Sequence, residues 1–224
     1  MRGKQGRRMG LLAAALAVLT AAVGFVSVSG NARQSACYAL QLDARARMER
    51  CMEAVRGYRE ELGLPPSPGD FHKTGLIGEE YTDITTTLGS IEAKRTAADP
   101  DMAALLVRMF SEAGLRSGDR VGAGFSGSFP SLNLAVLCAC DAMELEAVYI
   151  SSVGASTYGA NCPELTFPDM AHRLFLDGLI SRDSALVTPG GDRDNGGGVF
   201  DEEAFVPILK RVESWGIPVM REED

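Results

Sequence analysis

Residues 120–151 read RVGAGFSGSFPSLNLAVLCACDAMELEAVYIS, and their order decides the fold. Arg120 to Phe125 reads as a short buried strand, Ser131 to Met143 as an apolar helix and Glu146 to Ser151 as the next strand. Strand, helix and strand in so short a span form a crossover unit, which joins parallel neighbours in one sheet. Towards the C-terminus the pattern repeats. A helix is expected over Pro168 to Leu176, a strand over Ala185 to Thr188, a helix over Asp201 to Trp215 and a last strand over Ile217 to Met220. Pro207 is expected to kink that last helix. Towards the N-terminus, Asp99-Pro100 supplies a cap and first-turn pair for a helix that runs to Ala113 and stops at Gly114. The alternation predicts an α/β domain over 99–224, a three-layer, doubly wound, Rossmann-like arrangement with a mainly parallel sheet.

Upstream, residues 31–64 are rich in Ala, Arg, Glu, Leu and Met, with Leu40, Met48, Met52, Val55 and Leu62 at helical spacing. A long helix is expected there, ended by Gly63 and the breaker Pro65-Pro66-Ser67-Pro68-Gly69. Residues 65–98 form a polar stretch with too little periodicity to place elements, the kind of segment that often serves as a functional loop. Met9 to Val28 carries no charge and follows Arg2, Lys4, Arg7 and Arg8. Twenty apolar residues as a helix span about 30 Å, the thickness of a bilayer core. Residues 1–30 are therefore expected to be a basic start and a signal-anchor transmembrane helix with the body outside the cytoplasm, or, if cleaved, a signal segment of a secreted protein.

Beyond those 30 residues the body has 18 basic against 30 acidic residues, which repels phosphate backbones and speaks against nucleic acid as a partner. The five cysteines include no CxxC pair, so zinc-site spacing is absent. Cys138 and Cys140 are expected to pack as small core residues; an oxidising compartment would allow a pair involving Cys162.

In an open parallel sheet the ligand lies beyond the carboxyl ends of the strands. Three unusual loops fall there: residues 124–130 with Gly124, Ser126, Gly127 and Ser128; residues 152–163 with Ser156, Thr157 and Asn161; and residues 189–198 with Gly190, Gly191 and Asp192. Glycine permits close backbone approach, hydroxyls donate directed hydrogen bonds and a helix N-terminus offers N–H groups to an anion. Together they suggest a site for a carboxylate or phosphate-bearing group, although the same residues also make tight connections. Lys94 and Arg95, a cationic pair in the polar stretch, would fold over such an anion, or form a solvated face. Ser126 approaches the nucleophile elbow G-x-S-x-G, with Ser128 in place of the last glycine. It is the candidate catalytic serine, with only His72 and His172 to serve as base. No cofactor is expected. Asp192 and Asp194 are the candidates for a divalent cation, since oxygen ligands suit Mg or Ca, although the remaining ligands and terminal Glu of an EF-hand loop are missing.

The strings Thr74-Gly75-Leu76-Ile77-Gly78-Glu79-Glu80-Tyr81-Thr82, Thr85-Thr86-Thr87-Leu88-Gly89, Glu92-Ala93-Lys94-Arg95-Thr96, Ser126-Gly127-Ser128-Phe129-Pro130, Gly154-Ala155-Ser156-Thr157-Tyr158-Gly159-Ala160-Asn161 and Gly190-Gly191-Asp192 resemble the poly-gamma-glutamate system protein family. The resemblance runs from about Ala39 onward and includes the anchor arrangement. It implies a place among the envelope proteins that make and export poly-gamma-glutamate, with other proteins of that system, the membrane, and the polymer or a glutamate-like ligand as partners. It does not imply a reaction. Members of the family run longer, which implies a sheet edge completed by further residues. With no G-x-x-x-x-G-K-[ST] motif present, the nucleotide-dependent ligase is expected to be another protein. Two other roles stay open: a hydrolase or transferase cutting the gamma-linked chain through Ser126, and a scaffold without catalysis.

Overall fold

The computed structural model describes residues 15–23, 36–192, 194 and 202–220. The chain forms two units, residues 1–38 and 39–224. In the first, residues 15–23 are helical. The rest of the Met9 to Val28 run lies outside the described residues, and no helix among the described residues is long and apolar enough to cross a membrane.

The larger unit is a mixed α/β structure whose sheets are mostly parallel. Its elements in chain order are α1 (Tyr38–Glu61), β1 (Thr85–Thr87), α2 (Ile91–Ala97), α3 (Asp101–Glu112), β2 (Arg120–Phe125) and α4 (Pro130–Ala142). They continue as β3 (Glu146–Ser152), β4 (Ala155–Ser156), β5 (Asn161–Cys162), β6 (Leu165–Thr166), α5 (Phe167–Leu176) and β7 (Leu186–Thr188). A single 3₁₀ turn (Glu202–Ala204) then leads into α6 (Phe205–Ser214). The central sheet has the order β2-β3-β7, all parallel, with Val219 bridged to Val187 at the far side. Strands that advance in one direction through right-handed crossovers carry their connecting helices on the same face.

That face is the packed one. Val121, Ala123 and Phe125 share it with Ala147, Tyr149 and Ser151 of the neighbouring strand, and Tyr149 is buried with its ring 4.9 Å from that of Phe125. Helix α4 lies in the middle of the core. Ten of its residues are buried, as expected for a helix apolar all round. On it pack α1, whose Cys51 Sγ lies 3.9 Å from Cys138 Sγ, and α3. The five cysteines are all free thiols.

Helix α1 covers the described part of the helix expected over 31–64, and α3, α4, β3, α5 and β7 lie where the pattern placed them. Three expectations need correcting. The strand RVGAGF is not buried: it sits at the end of the sheet, and only Phe125 is fully enclosed. Pro207 does not kink the last helix, because it is the third residue of α6, in the first turn, where N–H groups have no intrahelical acceptor. The strand over 217–220 is reduced to the one bridge at Val219. The polar stretch 65–98 also holds two elements that its composition did not announce, β1 and α2.

Candidate functional site

The site begins where β2 ends. Ser126 Oγ accepts the N–H of Ser128 at 3.1 Å and donates to Ser128 Oγ at 3.0 Å, a serine turn closed on itself. Asn133, in the first turn of α4, fixes that turn by donating from Nδ2 to the Ser126 carbonyl at 2.8 Å. Ser126 is exposed and Ser128 half-buried. The second loop follows β3. Its backbone donates from Val153 to Thr188 O at 3.0 Å and from Gly154 to Pro189 O at 2.8 Å, so the end of β7 holds it in place. Strand β4 then pairs in parallel with β1, which carries the segment 85–94 across this edge.

The three loops therefore meet at the carboxyl ends of the strands. Their glycines are filled by one another: a Cβ on Gly127 would lie 3.0 Å from the carbonyl oxygens of Val153 and Gly154, and one on Gly159 would lie 2.7 Å from Gly127 O. Gly190 adopts a left-handed backbone and comes equally close to Ser152. The close approach that glycine permits here is loop against loop, while Gly124 faces open space.

Under the serine turn lies Lys94, from the middle of α2. Its side chain is 2% exposed. Its Nζ donates to the Ser128 carbonyl, lies 2.7 Å from Ser156 Oγ and sits 3.8 Å from the centroid of the Phe129 ring. Ser156 in turn donates its N–H to Ser128 Oγ at 3.0 Å. No carboxylate among the described residues pairs with this amine. Burial without a counter-charge disfavours the ammonium form and lowers its pKa from 10.5 to about 8.

The structure separates the other residues singled out in the sequence. Arg95 points away from Lys94: it donates to Gly69 O at 2.9 Å, stacks on Phe71, and lines a cavity of about 570 Å³ with His72, Asp99 and Met102. Thr157 is spent on Gly89, accepting its N–H at 2.7 Å and donating to its carbonyl at 3.1 Å. Asn161 is fully enclosed. It accepts from Glu79 N at 3.0 Å and donates to Glu79 O at 2.9 Å and Thr85 Oγ1 at 3.0 Å, a clamp on the incoming segment. His172 is engaged with Asp183 at 2.6 Å and stacked on Trp215, while the hydroxyl partner of Ser126 is Ser128. Gly191 and Asp192 are exposed, and Asp194 accepts from Thr188 Oγ1 at 2.9 Å; Asn195 lies outside the described residues. No group of three or more His, Cys, Asp or Glu placed to hold a metal ion occurs among the described residues.

The sequence reading missed the pairing of Lys94 with Ser156. The two residues are 62 apart, and nothing local to either marks the lysine as buried. Comparison of the chain with protein-family models, with curated proteins and with solved structures gives no match.

Proposed function

We propose that this protein is a membrane-anchored, extracytoplasmic accessory of the poly-gamma-glutamate synthesis and export system, and that its loop cluster holds the polymer, a polymer end or another carboxylate-bearing ligand. The strings from Thr74 to Thr96 and from Gly154 to Asn161, which resemble that family, support the pathway. One observation carries the ligand class: the Lys94 amine, enclosed against the Ser128 carbonyl and the Ser156 hydroxyl with no carboxylate among the described residues paired to it. A cation without a counter-charge in a low-dielectric setting raises the local potential, and the mobile partner that relieves it is an anion. The body as a whole is acidic, so a polyanion is repelled at a distance and must be held by local donors at short range.

A three-layer Rossmann-like frame belongs to the same reading. In such a frame a second helical layer would cover the sheet face that carries Val148 and Ile150.

Two experiments test the proposal. Deleting the gene in the source cell should change polymer amount, chain length or surface retention; no change in any of the three overturns the pathway. Titrating the full-length protein with glutamate oligomers should give an affinity that falls as pH rises through about 8, as the amine loses its charge. Affinity that does not depend on pH in that range removes Lys94 from the ligand site.

A further inference from the structure

The geometry points to a serine–lysine pair: we propose that Lys94 is the general base for Ser156, and that the two perform acyl transfer on an amide of the ligand. The inference rests on the carboxylate-ligand reading for its substrate, a γ-glutamyl amide, and on the contacts around the amine for its chemistry.

Those contacts are a carbonyl, a ring face and a hydroxyl. A neutral amine has two N–H groups and one lone pair. The Ser128 carbonyl can only accept and the Phe129 ring faces the amine, so the ammonium donates to Ser156 Oγ at 2.7 Å and, once it has lost that proton, turns its lone pair to the proton of Ser156. The groups that face the amine from the serine turn, from β4 and from Gly89 carry no charge. On its own helix, Glu92 is exposed and bonded to Ser90, and Arg95 turns to Gly69 and Phe71. Lys94 is therefore governed by burial alone. With a pKa of about 8, on the order of a tenth of it is neutral at pH 7, enough for a base to act.

In the first half-reaction Ser156 Oγ bonds to the amide carbon and its proton passes to Lys94 Nζ. The C–N bond then breaks as Lys94 returns that proton to the leaving nitrogen, giving an acyl ester on Ser156 and a free amine. Water attacks the ester, gives a proton to Lys94, and the proton returns to Ser156 Oγ as the ester C–O bond breaks. Ser128 accepts from the Ser156 N–H and from Ser126, which leaves its own O–H to donate to the oxygen that becomes negative. Lys94 and Ser156 are both buried, and Gly89 is packed over them. A side chain there would lie 2.8 Å from Ser156 Oγ, and the two hydrogen bonds between Gly89 and Thr157, one in each direction, are the latch that must open to admit a substrate.

The test is labelling of the full-length protein with a fluorophosphonate, which reacts with a base-activated serine and expels fluoride. The label should map to Ser156 by peptide mass spectrometry, at a rate that rises with pH through about 8. Lys94→Met should slow labelling about 100-fold or more while keeping a cooperative thermal transition. Label on Ser126 or elsewhere, no label on the folded protein, or an unchanged rate in folded Lys94→Met overturns the pair. Glutamate-oligomer binding measured on the same preparation separates the two readings. Binding without labelling overturns the pair and leaves the ligand assignment standing; labelling without binding does the opposite.

Discussion

A lysine amine enclosed by serines and a phenylalanine ring destabilises the fold for as long as it is charged. Its pKa falls from 10.5 in the open chain to about 8 in the folded one, so between those values the unfolded state binds more protons. Stability should therefore rise with pH from about 8 to 10.5, and the full penalty applies below about 8. Lys94→Met, which keeps the stem and removes the charge, should be more stable than the natural protein at pH 7 by about 1 to 2 kcal/mol. The gap should close towards pH 10.5, as urea denaturation at the two ends of the range would record. A less stable Lys94→Met at pH 7 would mean that the amine contributes more through its hydrogen bonds than it loses through desolvation. Asn161 presents the opposite case, a buried polar group with every bond made. Asn161→Ala strands the N–H of Glu79, whose carbonyl still accepts from Tyr158 N, and should cost about 2 kcal/mol, seen as a lower denaturation midpoint with unchanged slope. At this scale the sequence is legible only in part. That residues 126–128 and 156–161 would gather at the strand ends followed from strand order, but which of them turn inward did not. Lys94 and Arg95 are neighbours with the same charge, and their fates diverge because Phe129 and Ser156 wait on one side and Phe71 on the other.

Elements set by their own residues were readable, and elements set by distant partners were not. Helix α4 announces itself by an unbroken apolar run after a proline in its first turn, and α3 by the cap region at Asp99-Pro100. Strand β1 is three threonines whose partner, β4, lies about 70 residues downstream; a strand so short has no periodicity to detect. The attachment of α5 is of the same kind. Asp169 accepts the N–H of Thr166 at 2.9 Å, which caps the helix, and takes Arg211 of α6 through Nε at 2.7 Å and Nη2 at 2.8 Å. One buried carboxylate thus closes a helix start and ties it to the next crossover. Asp169→Ala should cost about 3 to 5 kcal/mol, and Asp169→Asn clearly less because the amide oxygen can still accept from the cap. Equal losses in thermal unfolding would show that charge, and not capping, dominates.

The two faces of the central sheet in the whole molecule are unlike. On one, Tyr149 is enclosed beside Phe125; on the other, Val148 is 52% exposed and Ile150 43% exposed, opposite Gly122 and Gly124. Tyr149→Ala should cost about 3 to 5 kcal/mol, whereas Val148→Thr separates two frames: about 0.5 kcal/mol or less on a bare face, clearly more beneath the second helical layer of a three-layer frame. A large loss from Val148→Thr in the full-length protein would reveal that something covers this face in solution. The outermost strand adds a further consequence. An unpaired strand edge invites another chain to extend the sheet, and sequences resist this with charge and with residues that make poor strands. Strand β2 has both, Arg120 at its start and glycines at 122 and 124 that face open space. Their absent side chains keep the border unattractive to a second molecule. Gly122→Val has room in the folded protein, yet it should shorten the time a concentrated, warmed solution stays clear, with light scattering as the gauge and the natural sequence as the slower of the two to cloud.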